Sequence, residues 1–177
     1  PSPAKRRDQP PHEVVVVHPP QATARTPGQD AASPPAPRLI AMINQKGGVG
    51  KTTTTVSLGA ALAQLGQRVL LIDLDPQAHL TLHFGIEPEQ LEKTVYDLLT
   101  DPEVTARAIA RRVNDNLTVL PAEVNLAGVE AELASQAGTG RAQQVLRDKC
   151  LPLITGQPGE PGFDYVLIDC PPSLGLL

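Results

Sequence analysis

The sequence predicts an α/β fold: a parallel sheet with helices on both faces, preceded by a disordered Pro-rich tail. Three observations predict it. Short apolar runs alternate with helical patterns from residue 38 onward. Those runs are apolar throughout rather than alternating, as strands buried on both faces must be. A glycine-rich segment joins the first run to the first helical pattern.

The elements follow in order. Residues 1–37 hold ten of the 19 prolines, with four Lys/Arg against three Asp/Glu. That composition reads as a disordered or polyproline-like tail, interrupted by the β-prone run Val14 to Val17. Residues 38–177 form the domain. Leu39 to Ile43 is a buried strand, and Asn44 to Gly50 is a loop. Thr52 to Leu65 is a helix with Leu58, Leu62 and Leu65 on one stripe, stopped by Gly66. Val69 to Ile72 is a second strand, ending in Asp73. Leu91, Val95, Leu98 and Leu99 mark a helix. Asp101 and Pro102 read as an N-cap and an N1 proline, opening a helix to about Arg112. Leu117 to Leu120 is a third strand, stopped by Pro121. Helical stretches follow near Val124–Leu133 and Arg141–Leu151, then a turn-rich loop from Gly156 to Gly162. Val166 to Ile168 is the fourth strand, ending at Asp169.

Composition excludes several functions. Only 2% of the 177 residues are aromatic, which argues against a module that stacks bases. The net charge of −4 argues against a polybasic binder. No run of ~18 apolar residues occurs, so no membrane span is expected. No apolar stretch of signal-peptide length follows Lys5-Arg6-Arg7, so no secretory signal is expected. Cys150 and Cys170 are too few for a metal cage or a disulfide framework, and a reducing cytoplasm is the expected compartment.

The chemistry is concentrated in Lys46-Gly47-Gly48-Val49-Gly50-Lys51-Thr52. Glycines let a backbone wrap closely, so that successive N–H groups face phosphate oxygens. The helix that follows adds the positive end of its dipole. Lys51 supplies a mobile charge for β- and γ-phosphates, and the Thr52 hydroxyl can ligate Mg²⁺. Gln45 stands where the ordinary phosphate loop begins with glycine, and Lys46 is an additional cation. Ligands of open α/β sheets bind beyond the carboxyl ends of the strands. Asp73, Asp75 and Asp169 lie at such ends, and a carboxylate there can hold a magnesium-bound water. The other candidates read as structural. Cys150 is a packed apolar residue, and Cys170 is a close neighbour of the loop. His79 and His83 have helical metal spacing without a third ligand, and Arg107, Arg111 and Arg112 form a solvated helix face.

At these residues the chain resembles the deviant Walker A P-loop ATPases, and within them the ParA (Soj-like) partition proteins. The matching segments are N-Q-K-G-G-V-G-K-T-T at 44–53, D-L-D-P-Q at 73–77, L-P-A at 120–122, L-A-G-V-E-A-E-L at 126–133 and F-D-Y-V-L-I-D-C-P-P-S-L-G at 163–175. The resemblance implies an Mg²⁺-dependent ATPase that dimerises on ATP binding. Lys46 is then the signature lysine reaching the partner subunit's ATP. Gly47, Gly48, Val49 and Gly50 wrap the phosphates. Lys51 contacts the β- and γ-phosphates, Thr52 ligates Mg²⁺ and Thr53 contacts the α-phosphate. Asp75 positions the attacking water, and Asp169 supports Mg²⁺ through water. Asp73 stands behind them near Thr52. Implied partners are a second copy, a ParB-type centromere-binding protein and non-specific DNA, with no membrane. The compartment is the cytoplasm, at the nucleoid for a complete protein.

The family fold continues past the last strand seen here. The sheet is therefore expected to be incomplete at its C-terminal end, with Leu39–Ile43 at an exposed edge. The chain is read as a truncated product or fragment, without the family's DNA-binding residues. Two other functions compete. One is a MinD-like or organelle-positioning ATPase, against which D-L-D-P-Q and L-A-G-V-E-A-E-L argue. The other is a truncated, non-hydrolysing nucleotide-binding module that poisons dimers of an intact paralogue. Iron-protein reductases share the loop, but Cys150 and Cys170 are poorly placed for a cluster.

Overall fold

The computed structural model describes residues 36–129, 132, 142–157 and 159–172. The expected tail with its Val14–Val17 run lies outside these residues, apart from Ala36 and Pro37. Much of the stretch from Val129 to Arg141, and Ser173–Leu177, also lie outside them.

Five strands form the main sheet, in the order β1-β7-β2-β4-β3. They are β1 (Arg38–Met42), β2 (Val69–Asp73), β3 (Arg111–Asn114), β4 (Leu117–Leu120) and β7 (Tyr165–Asp169). Every pairing is parallel except that of β3 with β4. In register, Met42 and Asp73 both align with Asp169, so three strand ends meet at one level. β1 lies at the expected edge, with Leu39 48% and Ile43 46% exposed.

Alternation along the strands builds two cores, because successive side chains leave a strand on opposite faces. Leu70, Ile72, Leu120 and Val166 pack with α3 (Val95–Thr100), α4 (Ala106–Ile109) and α5 (Ala142–Thr155). Val69, Leu71, Val119 and Leu167 pack with α1 (Lys51–Gln64). Both faces are apolar, which is why β2 reads as one unbroken buried run.

α1 lies on the sheet through small residues: Thr55, Val56, Gly59 and Ala63 are buried. A Cβ on Gly59 would stand 2.7 Å from Leu71 Cδ2, so the helix sits close. The expected leucine stripe holds only in part. Leu58 and Leu62 are half-buried, whereas Leu65 is 75% exposed at the helix end. Gly66, at φ 77°, closes a Schellman motif there. Its amide donates to Ala63 O at 3.0 Å, and Gln67 N donates to Leu62 O at 3.1 Å.

The expectation for residues 91–112 is corrected. The helix begins at Val95 rather than Leu91, because Thr94 and Asp97 form a capping box. Asp101 ends that helix instead of opening the next. The next helix is only Ala106–Ile109, capped by Thr105, and Arg111 and Arg112 lie on the antiparallel edge strand β3. The short apolar signal of one turn leaves strand and helix hard to tell apart by periodicity. Val124–Gly128 is a 3₁₀ turn rather than the start of a regular helix. α5 runs past Leu151 through Pro152 to Thr155. The expected loop after it contains a small hairpin of β5 (Gly156–Gln157) and β6 (Glu160–Pro161).

One ion pair ties the strand starts together, at the end of the sheet away from Asp73 and Asp169. Arg68 Nε and Nη2 donate to Asp164 Oδ2 and Oδ1 at 3.1 and 2.8 Å, and Arg68 N donates to Oδ2 at 2.8 Å. Asp164 N returns a bond to Arg68 O, and Asp164 O accepts from Arg38 N. Arg68, chiefly by its hydrogen bond, holds the Asp164 carboxyl below the usual aspartate range. A depressed carboxylate contributes stability that is present above its unfolded value of about 3.9 and is lost as pH falls through the folded value. Arg68→Ala is expected to lower stability by about 1 kcal/mol at pH 7, a figure kept small by partial solvation. Urea midpoints at pH 7 and pH 3 check this, and the difference between parent and variant should shrink at pH 3.

Candidate phosphate-binding site

The site forms where β1, β2 and β7 end. After Met42 the chain turns through the glycine loop, in which Gly48 (φ 69°) and Gly50 (φ 90°) take left-handed conformations. Asn44 Oδ1 accepts from Lys46 N at 2.9 Å and fixes the loop's entry. Gly50 is the N-cap of α1 and carries no side chain to cap it. The first helix bond is Thr54 N to Gly50 O, at 2.8 Å. The amides of Lys51, Thr52 and Thr53 precede it and have no acceptor within the helix. No acidic side chain occupies that first turn. The result is a bare, positively polarised start to a 14-residue helix, suited to an anion.

A cavity of about 570 Å³ opens over this helix start. Gly47, Gly48, Val49, Gly50, Lys51, Thr52 and Thr53 line it on one side. Asp75, Pro76, Gln77 and His79 line it from the segment after β2, Ala127 from the 3₁₀ turn, and Pro171 and Pro172 from beyond β7. The structure therefore brings Lys51, Thr52, Thr53 and Asp75 to one cavity. Lys46 is exposed and is not among the lining residues. Asp75 Oδ1 accepts from Gln77 N at 3.0 Å.

Asp169 and Asp73 lie beneath this surface, both essentially fully buried. Asp169 Oδ1 lies 3.5 Å from Thr55 Oγ1, whose proton is shared with Lys51 O at 3.0 Å. Asp169 Oδ2 is buried without a hydrogen-bond partner among the described residues. Burial pushes the Asp169 carboxyl above its usual range, and the Thr52 hydroxyl and Lys51 act against that shift. A buried carboxylate oxygen left without a donor, beside a threonine hydroxyl, suits a hard divalent cation that keeps most of its waters. The residues present thus fit Mg²⁺.

The hydrogen-bond partners of Asp73 lie on the segment that follows β2. Its carboxylate accepts from Thr81 N at 3.0 Å, Thr81 Oγ1 at 2.7 Å and Asp75 N at 3.1 Å. Burial pushes Asp73 up to about 6, against the pull of the Thr81 bonds. Its position is that of a strut under the Asp75 turn.

Neither cysteine is a reactive thiolate. Burial raises Cys150 to about 12 and Cys170 to about 11, the latter with help from the charge of Asp169. No cluster of three His, Cys, Asp or Glu forms a metal site among the described residues. Asn44, Thr55 and Thr81 were not singled out by the sequence. Thr55 stands one helical turn after Lys51, and that spacing is the one signal that marks it.

Residues 37–177 match the AAA domain family AAA_31. The chain is 46% identical to the sporulation initiation inhibitor protein Soj of Bacillus subtilis over 140 residues, 79% of this chain and 52% of Soj. It is 45% identical to the chromosome partitioning protein ParA of Caulobacter vibrioides over 140 residues, 79% of this chain and 50% of that protein. The structure of cobyrinic acid a,c-diamide synthase from Mycobacterium smegmatis, with a bound ATP analog and magnesium, superposes with a TM-score of 0.70. That match has 44% identity and covers 80% of this chain and 54% of the other. The chain thus spans about half the length of the curated relatives it matches. No helix among the described residues is long and apolar enough to cross a membrane. With a phosphate loop at the head of α1 and a family match over residues 37–177, the chain belongs to the AAA domain family AAA_31.

Proposed function

We propose that this chain is the nucleotide-binding part of a partition ATPase, which binds Mg²⁺-ATP, dimerises on it and hydrolyses it during DNA segregation. The observation that carries the reading is the uncapped start of α1, with Lys51 and Thr52 facing Asp75 across one cavity.

Phosphoryl transfer needs positioning and charge stabilisation more than covalent help from the protein. The loop amides and Lys51 neutralise the β- and γ-phosphates. Thr53 contacts the α-phosphate. Thr52 would hold Mg²⁺ directly and Asp169 through water, and the bound ion would supply charge neutralisation for the phosphates. Asp75 orients the attacking water. Lys46 adds its charge from the second subunit. The partners are a second copy, a ParB-type protein that stimulates hydrolysis, and non-specific DNA, all in the cytoplasm. The name of the ParA relative, a chromosome partitioning protein, supports this cargo.

Asp75→Ala separates binding from hydrolysis. The variant is expected to bind Mg²⁺-ATP within about threefold of the parent and to lose turnover by about 10² or more, the scale for a water-positioning group. Light scattering with ATP should show a persistent dimer. Normal turnover in the variant would remove Asp75 from the mechanism.

A further inference from the structure

We propose that Thr81 is a positioning residue for Asp75, its hydroxyl being the joint between the Asp73 carboxylate and the Ala122 amide. The proposal rests on the reading of Asp75 as the residue that orients water.

Asp75 stands on a short turn that is held at both ends by one carboxylate. Asp73 Oδ1 accepts from Asp75 N at 3.1 Å, at the start of the turn. Asp73 Oδ2 accepts from Thr81 N at 3.0 Å and Thr81 Oγ1 at 2.7 Å, after the turn has passed into the short helix α2 (His79–His83). Between them, Ala78 N donates to Asp75 O at 2.8 Å. Ala78 itself sits at φ 52°, the one non-glycine residue with positive φ among those described. An alanine enters that region only where its surroundings enforce it. Here the two bonds of Asp73, to Asp75 N and Thr81 N, span it from either side.

Thr81 extends the grip, beneath the cavity, to the segment that follows β4. Its hydroxyl accepts from Ala122 N at 3.0 Å. The amide can only donate, so the single hydroxyl proton is left for Asp73. Donor and acceptor roles are thereby fixed, and Thr81, Asp73 and Ala122 are all fully buried. Ala122 directly follows Pro121 at the end of β4, and its segment leads into the 3₁₀ turn that contributes Ala127 to the cavity wall. Thr81 therefore joins the wall carrying Asp75, Gln77 and His79 to the wall carrying Ala127. A valine has the same shape and can make neither bond. A serine makes both.

The test compares Thr81→Val and Thr81→Ser with the parent chain. Three quantities are read: Mg²⁺-ATP affinity by calorimetry, ATP turnover, and hydrogen exchange at the Asp75 and Ala122 amides by NMR. Thr81→Ser should stay within about twofold of the parent in all three. Thr81→Val should bind Mg²⁺-ATP within about threefold, lose turnover tenfold or more, and lose exchange protection at both amides. A cooperative thermal transition establishes that the variant is folded. If valine prevents folding, Thr81→Cys keeps a weak donor and acceptor, and its turnover should fall between parent and loss. A folded valine or cysteine variant with parental turnover overturns the proposal. If the parent chain itself does not hydrolyse ATP, the functional reading fails separately. Exchange then decides the joint, and unchanged protection at Asp75 and Ala122 in Thr81→Val overturns it.

Discussion

Lys51→Ala is expected to remove measurable Mg²⁺-ATP binding. Lys51 is the first residue of α1 and lines the cavity at the bare helix start. Its ammonium is the mobile positive charge of that lining, where the other donors are amides, hydroxyls and the His79 imidazole. A charge-assisted hydrogen bond contributes about 1.5–3 kcal/mol, and under the proposed function the lysine would serve two phosphates. The loss is therefore about 3–6 kcal/mol, or about 10²–10⁴ in affinity. The fold should not suffer, because Lys51 lines the cavity and its side chain makes no hydrogen bond in the core among the described residues. Thermal unfolding separates the two effects. Nucleotide at about 100 times its Kd stabilises a protein by about 2.7 kcal/mol, so ATP should raise the parent's midpoint clearly. The variant should unfold at the parent's nucleotide-free midpoint and show no ATP-dependent rise. Near-parental affinity by calorimetry would place the nucleotide somewhere other than this loop.

Much of the site was legible because its chemistry is local. A glycine loop between a strand and a helix is contiguous in sequence, and so are the aspartates at strand ends. Parallel pairing then brings 42, 73 and 169 to one level, since consecutive strands of such a sheet all point the same way. The residues that stayed hidden act across long separations. Thr81 meets Ala122 over 41 positions, and Thr55 meets Asp169 over 114. Nothing in a threonine's immediate neighbours marks such a partner. The fold shows the same division. β2 and β7 were readable because burial on both faces leaves an unbroken apolar run. β3 was not, because an edge strand of sequence Arg-Arg-Val-Asn is half-buried at one residue and exposed at the rest. Its pairing with β4, rather than its composition, makes it a strand. The helix stripe failed at Leu65 for a related reason. Periodicity locates a face, but the Schellman turn at Gly66 decides where that face ends.

Lys46→Gln is expected to leave a monomer that binds Mg²⁺-ATP within about threefold of the parent, does not dimerise on it, and hydrolyses it about 10³–10⁵ times more slowly. Lys46 is only five positions before Lys51, yet the two differ in placement. Lys51 lines the cavity; Lys46 is exposed and does not. Its amide is fixed by Asn44 Oδ1 at 2.9 Å, so its backbone is anchored on the strand side of the loop. The left-handed turns at Gly48 and Gly50 then separate it from the helix start. A cation held outside its own site is free to serve a neighbour's. Supplied across an interface, it couples hydrolysis to assembly, as an arginine finger does. Sedimentation with ATP reads the first half of this expectation, and complementation reads the second. Lys46→Gln and Asp75→Ala should each be inactive alone. In a mixed dimer, the subunit with intact Asp75 receives Lys46 from its partner, so one site is complete and activity returns. If Lys46 acted within its own subunit, one site would lack the lysine and the other the aspartate. The mixture would then stay inactive, and the trans role would be wrong.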